Sequence, residues 1–273
     1  MNWRELAKHL QINERGIACL ERVEESKLSL ETVCSTKSNE QFFEAVKQQA
    51  LYDKLDYREV FAYVYMVLAA RAYDKYKEEG IDDEIYYDTM MDLVIWSNDC
   101  YKKFGIWGID EYGWLIHHVQ LKIFKLGRLQ FQPMTLGEAL VCEAYKLEKG
   151  EKVLNVHIPA GETLDYDKCK ASYKMAKQFF KDGSMNCICS SWLLNPVYET
   201  LLPASSNIVQ FQKDYCIYEV DDLCMQAEER IFGEVQSNPN LYAQNTTLQK
   251  VAATYLKQGK RLGIGKGVLK VDE

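Results

Sequence analysis

Acid–base chemistry near neutral pH calls for an imidazole, and the sequence holds four histidines. His157 is the best placed of them. It stands near the end of an alternating segment, residues 153–158, just before Pro159, where a sheet is expected to open towards a substrate. Asn155 and His157 share one face of that strand, and Leu154, Val156 and Ile158 share the other. An unperturbed imidazole pKa of ~6.5 suits a general base; the competing reading is a histidine hydrogen-bonded at a strand end for structural reasons. Arg128 and Gln130 project from one face of an earlier alternating segment and could hold a carboxylate or phosphate, or could simply be the polar side of a half-exposed strand. Ser191 and Trp192 interrupt an otherwise apolar strand, where a serine can satisfy a backbone group and a tryptophan commonly fills core. Asn207, after Ser205-Ser206, reads as a helix N-cap.

Other chemistries find little support. His117 and His118 are adjacent, about 100° apart on a helix, so they cannot share a metal as an i, i+4 pair can. Nine cysteines are scattered without a Cys-x-x-Cys pair or a zinc spacing, so no metal site is expected. Cys187 and Cys189 share a strand face whose apolar setting should raise their pKa and make them inert. No Gly-x-Ser-x-Gly elbow makes Ser191 a nucleophile.

The elements that must position these residues divide the chain in two. As far as residue 125 the pattern is helical: Leu6, Leu10, Ile17, Leu20 and Val23 recur at helical spacing. Residues 57–76 are apolar nearly all round, as in a central helix. Helices over 85–104 and 110–124 follow, the latter N-capped by Asp110 and closed by Gly127. Periodicity then changes. Three alternating stretches, 128–132 (ended by Pro133), 139–147 and 153–158, suggest an antiparallel meander. A helix over 165–181, a strand over 187–194, a helical stretch over 198–211 and a strand over 215–220 come next. Helices near 222–232 and 247–258 and a glycine-rich terminal hairpin over 259–271 complete the reading. The fold class expected is α+β, an all-helical domain over 1–125 followed over 126–273 by a mixed, mostly antiparallel sheet with flanking helices.

Composition narrows the setting. The chain of 273 residues carries a net charge of −7, and its first 125 residues alone contribute −6 from 16 basic and 22 acidic side chains. No concentrated basic field points to nucleic acid. The longest apolar run, Val60 to Ala70, falls short of the ~20 residues of a membrane span. The N-terminus has no signal-peptide core and the cysteines form no framework, which points to a cytoplasmic protein.

Four short segments are more specific: Phe124-Lys125-Leu126-Gly127-Arg128-Leu129-Gln130-Phe131, Asn155-Val156-His157-Ile158-Pro159-Ala160-Gly161, Ser191-Trp192-Leu193-Leu194-Asn195-Pro196, and the stretch from Leu202-Pro203 to Gln210-Phe211. Together they resemble a bacterial acyltransferase family that joins a helical N-acyltransferase N-terminal domain to a GNAT-like C-terminal domain. The resemblance is strongest over residues 110–220. It implies an acyl-CoA-dependent N-acyltransferase, with acetyl-CoA or another acyl-CoA as donor and a small-molecule amine as acceptor; a homo-oligomer is left open. Acyl transfer needs an amine deprotonated, an oxyanion stabilised and a thiolate protonated. His157 is the candidate for the first, with Arg128, Gln130 and Asn155 as candidate substrate-binding residues; the resemblance implies Tyr198 for the last and places Ser191 and Trp192 in the lining of the site.

One departure stands out. GNAT enzymes usually grip the coenzyme A pyrophosphate with a glycine-rich turn after the fourth strand, and here residues 159–164 offer only Gly161. The nearest textual match, Lys260-Arg261-Leu262-Gly263-Ile264-Gly265, has no helix after it to present amides to phosphate. A non-catalytic acyl-CoA or small-molecule binding protein, or an interaction protein on the same fold, is therefore the alternative.

Overall fold

The computed structural model describes residues 1–26, 30–34, 36–181 and 185–271. The chain forms two compact units, Met1–Lys125 and Leu126–Glu273.

In the first unit the described helices are α1 (Trp3–His9), α2 (Glu14–Glu25), α3 (Leu30–Cys34), α4 (Asn39–Asp53), α5 (Tyr57–Glu78), α6 (Asp83–Phe104) and α7 (Tyr112–Val119). α5 is the hub, packed against α1, α2, α4, α6 and α7. Its run from Val60 to Met66 is buried throughout, which explains an apolar pattern without a polar stripe. Polar side chains start the helices: Asn2, Asn13, Ser38 and Asp56 each accept a backbone N–H of the following turn. Asp110 departs from expectation. Glu111 occupies the N-cap of α7, while Asp110 takes hydrogen bonds from the Tyr57 hydroxyl at 2.8 Å and Arg58 Nε at 2.9 Å. α7 also stops at Val119, short of Gly127.

The second unit is built on a six-stranded sheet in the order β1-β2-β5-β6-β8-β7, with a separate two-stranded ribbon β3-β4. The strands are β1 (Phe124–Leu126), β2 (Leu129–Thr135), β3 (Leu140–Val141), β4 (Lys146–Leu147), β5 (Lys152–His157), β6 (Met185–Ser191), β7 (Cys216–Asp221) and β8 (Ile264–Val271). Helices α8 (Tyr166–Phe180), α9 (Tyr198–Leu201), α10 (Asn207–Lys213), α11 (Gln226–Phe232) and α12 (Thr247–Lys257) connect them. The sheet is mixed and mostly antiparallel, β5 and β6 being its parallel pair.

Four expectations are corrected here. β2 runs through Pro133 to Thr135, because β1 has only three residues and leaves that stretch of β2 at an open edge where a missing N–H costs no ladder bond. The stretch 139–147 is not a middle strand of a meander. It folds as the β3-β4 ribbon, packing Leu140 and Leu147 against Leu136, Val153 and Val268, so β2 pairs directly with β5. The helical stretch 198–211 is two helices broken at Pro203, the second capped at Ser206 rather than Asn207. The tail is no hairpin: β8 is one strand inserted between β6 and β7.

The glycines of β8 explain that insertion. A Cβ on Gly265 would lie 2.1 Å from the Leu194 carbonyl oxygen, and one on Gly263 would lie 2.4 Å from the Asp221 oxygen. Gly263 also has φ of +52°. The Gly263–Gly265 pattern therefore answers close backbone approach, not phosphate.

Candidate active site

The site grows from the register of β2 and β5. Gln130 lies opposite His157, and Gln132 opposite Asn155. Residues directly opposite in an antiparallel pair share a face, so these four polar side chains form one patch. Phe131, Pro133, Leu154 and Val156 lie on the other face, where Phe131 meets Tyr173 of α8 with ring centres 5.9 Å apart. The polar patch is thus on the face away from α8. Within it His157 Nε2 lies 3.2 Å from Gln132 Oε1. With the amide oxygen accepting, Nε2 carries the proton and Nδ1 the lone pair of a neutral imidazole. His157 is half-buried.

His157 is also the last residue of its strand, at a break in the sheet. β5 and β6 pair in parallel through Leu154 with Cys187 and Asn155 with Ile188. The ladder ends there, although β5 continues to His157 and β6 to Ser191. β2 and β8 still flank the outer sides of this stretch, so the two inner edges part while staying anchored. The sheet opens next to Pro159, as the sequence suggested. Ser190, on the β6 side, is exposed.

The loop between β5 and α8 is held from below. Arg128 is not on a strand face but in the tight turn after Gly127, with only 4 % of its surface exposed. Its Nη2 donates to the Glu162 carbonyl at 2.9 Å and its Nε to the Thr163 carbonyl at 3.1 Å. Ser172 Oγ of α8 accepts the Arg128 backbone N–H at 2.8 Å. Burial lowers the guanidinium pKa, and Nη1 is buried without a hydrogen-bond partner. Arg128 thus holds the loop from a buried turn, a correction to its expected place on a polar strand face. Gln130 is buried too, which removes the surface reading for both.

The β6 end is equally constrained. Ser191 closes the strand, and its hydroxyl accepts the Leu193 N–H at 3.2 Å to start a 3-10 turn, Trp192–Leu194. Trp192 is in that turn rather than on the strand, its backbone N–H donating to Gln226 Oε1 at 3.1 Å. Gln212 Nε2 donates to the Asn195 carbonyl at 2.6 Å, locking the turn from α10. Gln212 Oε1 and Asn195 Nδ2 are buried without partners. Tyr198 corrects a further expectation. It has no exposed surface and packs edge-on to Trp192 in an apolar cluster with Ala227, Ala252 and Leu256. Its hydroxyl is buried without a partner, and burial raises its pKa. In this position its hydroxyl is closed off from solvent.

Of the adjacent histidines, His118 is buried against Asp92, its Nε2 3.0 Å from Oδ2, and His117 is half-buried. Cys187 and Cys189 are buried on the α8 side, and burial pushes the Cys189 thiol up to about 12. Among the described residues no group of His, Cys, Asp and Glu could hold a metal ion, and no helix is long and apolar enough to cross a membrane.

Residues 123–269 match the GNAT-like C-terminal domain family. The chain belongs to that family. Residues 1–121 match the N-acyltransferase N-terminal domain. Solved structures share the fold over nearly the whole chain. A mutant acyltransferase in complex with octanoyl-CoA superposes with a TM-score of 0.73 at 18 % identity, over 98 % of this chain and 87 % of that one. An acyltransferase in complex with decanoyl-CoA and teicoplanin gives 0.69 at 20 %, over 99 % of both chains. An acyltransferase in complex with decanoyl-CoA gives 0.68 at 21 %, over 98 % of this chain and 99 % of that one. Comparison with curated proteins yields no match.

Sequence reading missed Gln132 as a site residue, although it continues the alternation of Arg128 and Gln130 by two positions. Gln212 carried no such signal, because its role depends on α10 folding back onto the Trp192–Leu194 turn.

Proposed function

We propose that this protein is an acyl-CoA-dependent N-acyltransferase acting on a small-molecule amine, with a helical domain over 1–125 and a GNAT-like domain over 126–273. The observation that carries the reading is the parting of β5 and β6 at His157. Two anchored strands with unshared inner edges offer backbone groups to an extended amide-bearing chain, as a missing strand would fill them. The pantetheine arm of coenzyme A is such a chain. The solved relatives in complex with acyl-CoA support the same donor.

In this reading His157 removes the proton of the incoming amine. Gln132 holds the ring through Nε2. Asn155 and Ser190 complete the polar surface on that face, with Asn155 set to orient the acceptor and the buried Gln130 lying beneath them. Ser191 and Trp192 act by shaping the far wall. Arg128 keeps the loop after β5 in place for the donor. The departing thiolate takes its proton from the amine through His157, since Tyr198 is sealed in the core. The described cysteines are free, in keeping with a cytoplasmic setting.

The binding-protein reading has its own support, because Tyr198 is inaccessible and the loop after β5 spends Arg128 on its own carbonyls. Turnover separates the two. Release of free CoA thiol from acetyl-, hexanoyl- and decanoyl-CoA is followed against a panel of primary amines. Amine-dependent release that is lost in His157→Ala supports catalysis; saturable acyl-CoA binding with no release by any amine favours the binding protein.

A further inference from the structure

The N-terminal unit carries a cavity that the acyl-transfer reading does not use. Its volume is ≈ 500 Å³, within the range of small-molecule sites. Every residue lining it belongs to the first unit. One wall is a single face of α5, where Leu68, Arg71, Ala72 and Lys75 recur at helical spacing. Phe42 of α4 and Ile116 and Val119 of α7 extend the apolar floor. Lys37, just ahead of α4, adds a third cation at the rim.

Charge makes this cavity unusual for its surroundings. The first 125 residues sum to −6, yet three cations and no carboxylate line the cavity. Arg71 and Lys75 stand one turn apart, a like-charge spacing that disfavours the helix. Neither they nor the Lys37 ammonium has an ion pair among the described residues, whereas Lys77, two residues beyond Lys75, is paired with Asp83 at 3.1 Å. A polar acceptor is also left over. Gln120 Nε2 donates to Asn39 Oδ1 at 2.9 Å, but Gln120 Oε1, in the same lining, is buried without a partner.

We propose that this cavity binds a small amphipathic anion, a carboxylate or phosphate ester on a short aliphatic or aromatic body. The anionic head sits among Lys37, Arg71 and Lys75. The body lies on Phe42, Leu68, Ile116 and Val119, and a hydroxyl or N–H of the ligand meets Gln120 Oε1. The inference stands apart from the acyltransferase reading, because it needs no coenzyme A and no residue of the sheet.

The test is calorimetric titration of the full chain with four probes: hexanoate, phenyl phosphate, inorganic phosphate and hexanol. One saturable site per chain is expected for hexanoate or phenyl phosphate, and which of them binds tells carboxylate from phosphate ester. Head alone and tail alone should each bind at least ~10-fold more weakly, since the site uses both. The double variant Arg71→Gln/Lys75→Gln changes exposed side chains and should keep the unliganded Tm. It should weaken binding by ~10-fold or more, and Lys37→Glu should act in the same direction; added salt should weaken the wild type. The proposal is overturned by the absence of saturable binding for both amphipathic probes. It is equally overturned by affinity indifferent to both variants, or by inorganic phosphate binding as tightly as phenyl phosphate.

Discussion

Replacing Arg128 by methionine separates a residue that holds a loop from one that grips a ligand. The substitution keeps most of the aliphatic stem and removes the guanidinium, which gives two charge-assisted hydrogen bonds to the Glu162 and Thr163 carbonyls. Such bonds typically contribute about 1.5–3 kcal/mol each net of the exchange with water. Two features reduce the net loss. Residues 160–163 are exposed, so the released carbonyls can turn to water. The guanidinium is itself buried with Nη1 unsatisfied, and removing it relieves that desolvation. The expected net destabilisation is about 1–2 kcal/mol, or a Tm lower by roughly 2–8 °C for a chain of this size. Acyl-CoA affinity should fall further, because binding must then order a loop the native protein holds in place; a ~10-fold rise in Kd corresponds to about 1.4 kcal/mol. Limited proteolysis should cut between Pro159 and Asp165 faster than in the wild type. Unchanged Tm, proteolysis and affinity would refute the loop-pinning argument. A collapse of affinity by about a thousandfold with unaltered proteolysis would instead put Arg128 in direct contact with the donor.

Four further outcomes follow from the site and its supports. His157→Ala should lower kcat by ~10²–10⁴ with little change in acyl-CoA Kd, and should remove the acid limb of the pH–rate profile, since the protonated imidazole cannot act as base; an unchanged profile would clear His157 of that role. Tyr198→Phe should leave turnover within about twofold and stability equal or higher, because the lost hydroxyl is buried without a partner; a large loss of kcat with normal Tm would restore it as the acid. Gly265→Ala places a Cβ 2.1 Å from the Leu194 oxygen and should destabilise by about 1–3 kcal/mol, read as a lower midpoint in urea. In native protein at mildly alkaline pH, Cys187 and Cys189 should resist a disulfide thiol reagent that labels the half-buried Cys142, Cys216 and Cys224. For Cys189, pushed up to about 12, the thiolate is scarce below that pH, and prompt labelling would contradict its burial.

Much of this architecture was legible in the residues. The all-round apolar pattern of α5 marked it as a buried hub, and the alternation of 153–158 placed Asn155 and His157 on one face. What periodicity could not show was pairing. Nothing local tells that 139–147 folds away as a ribbon so that β2 meets β5 directly, yet that pairing sets Gln132 beside His157. β1 was hidden because three residues are too few for a period. Proline and glycine misled where their usual meaning yields to context: Pro133 sits at an open edge, and the glycines of β8 admit neighbouring backbone rather than turn a hairpin. Arg128 and Tyr198 were misread for one reason. A polar side chain's type says what it can do, while its burial decides whether a ligand can reach it.

The most direct test of the central claim is thermal unfolding of the purified protein with acetyl-CoA, longer acyl-CoAs and free CoA. Ligand at 100 times its Kd should stabilise by ~2.7 kcal/mol, a Tm rise of roughly 5–10 °C, with one acyl chain length favoured. No shift with any CoA species, at concentrations that saturate ordinary acyl-CoA sites, would contradict a donor site at the parting of β5 and β6.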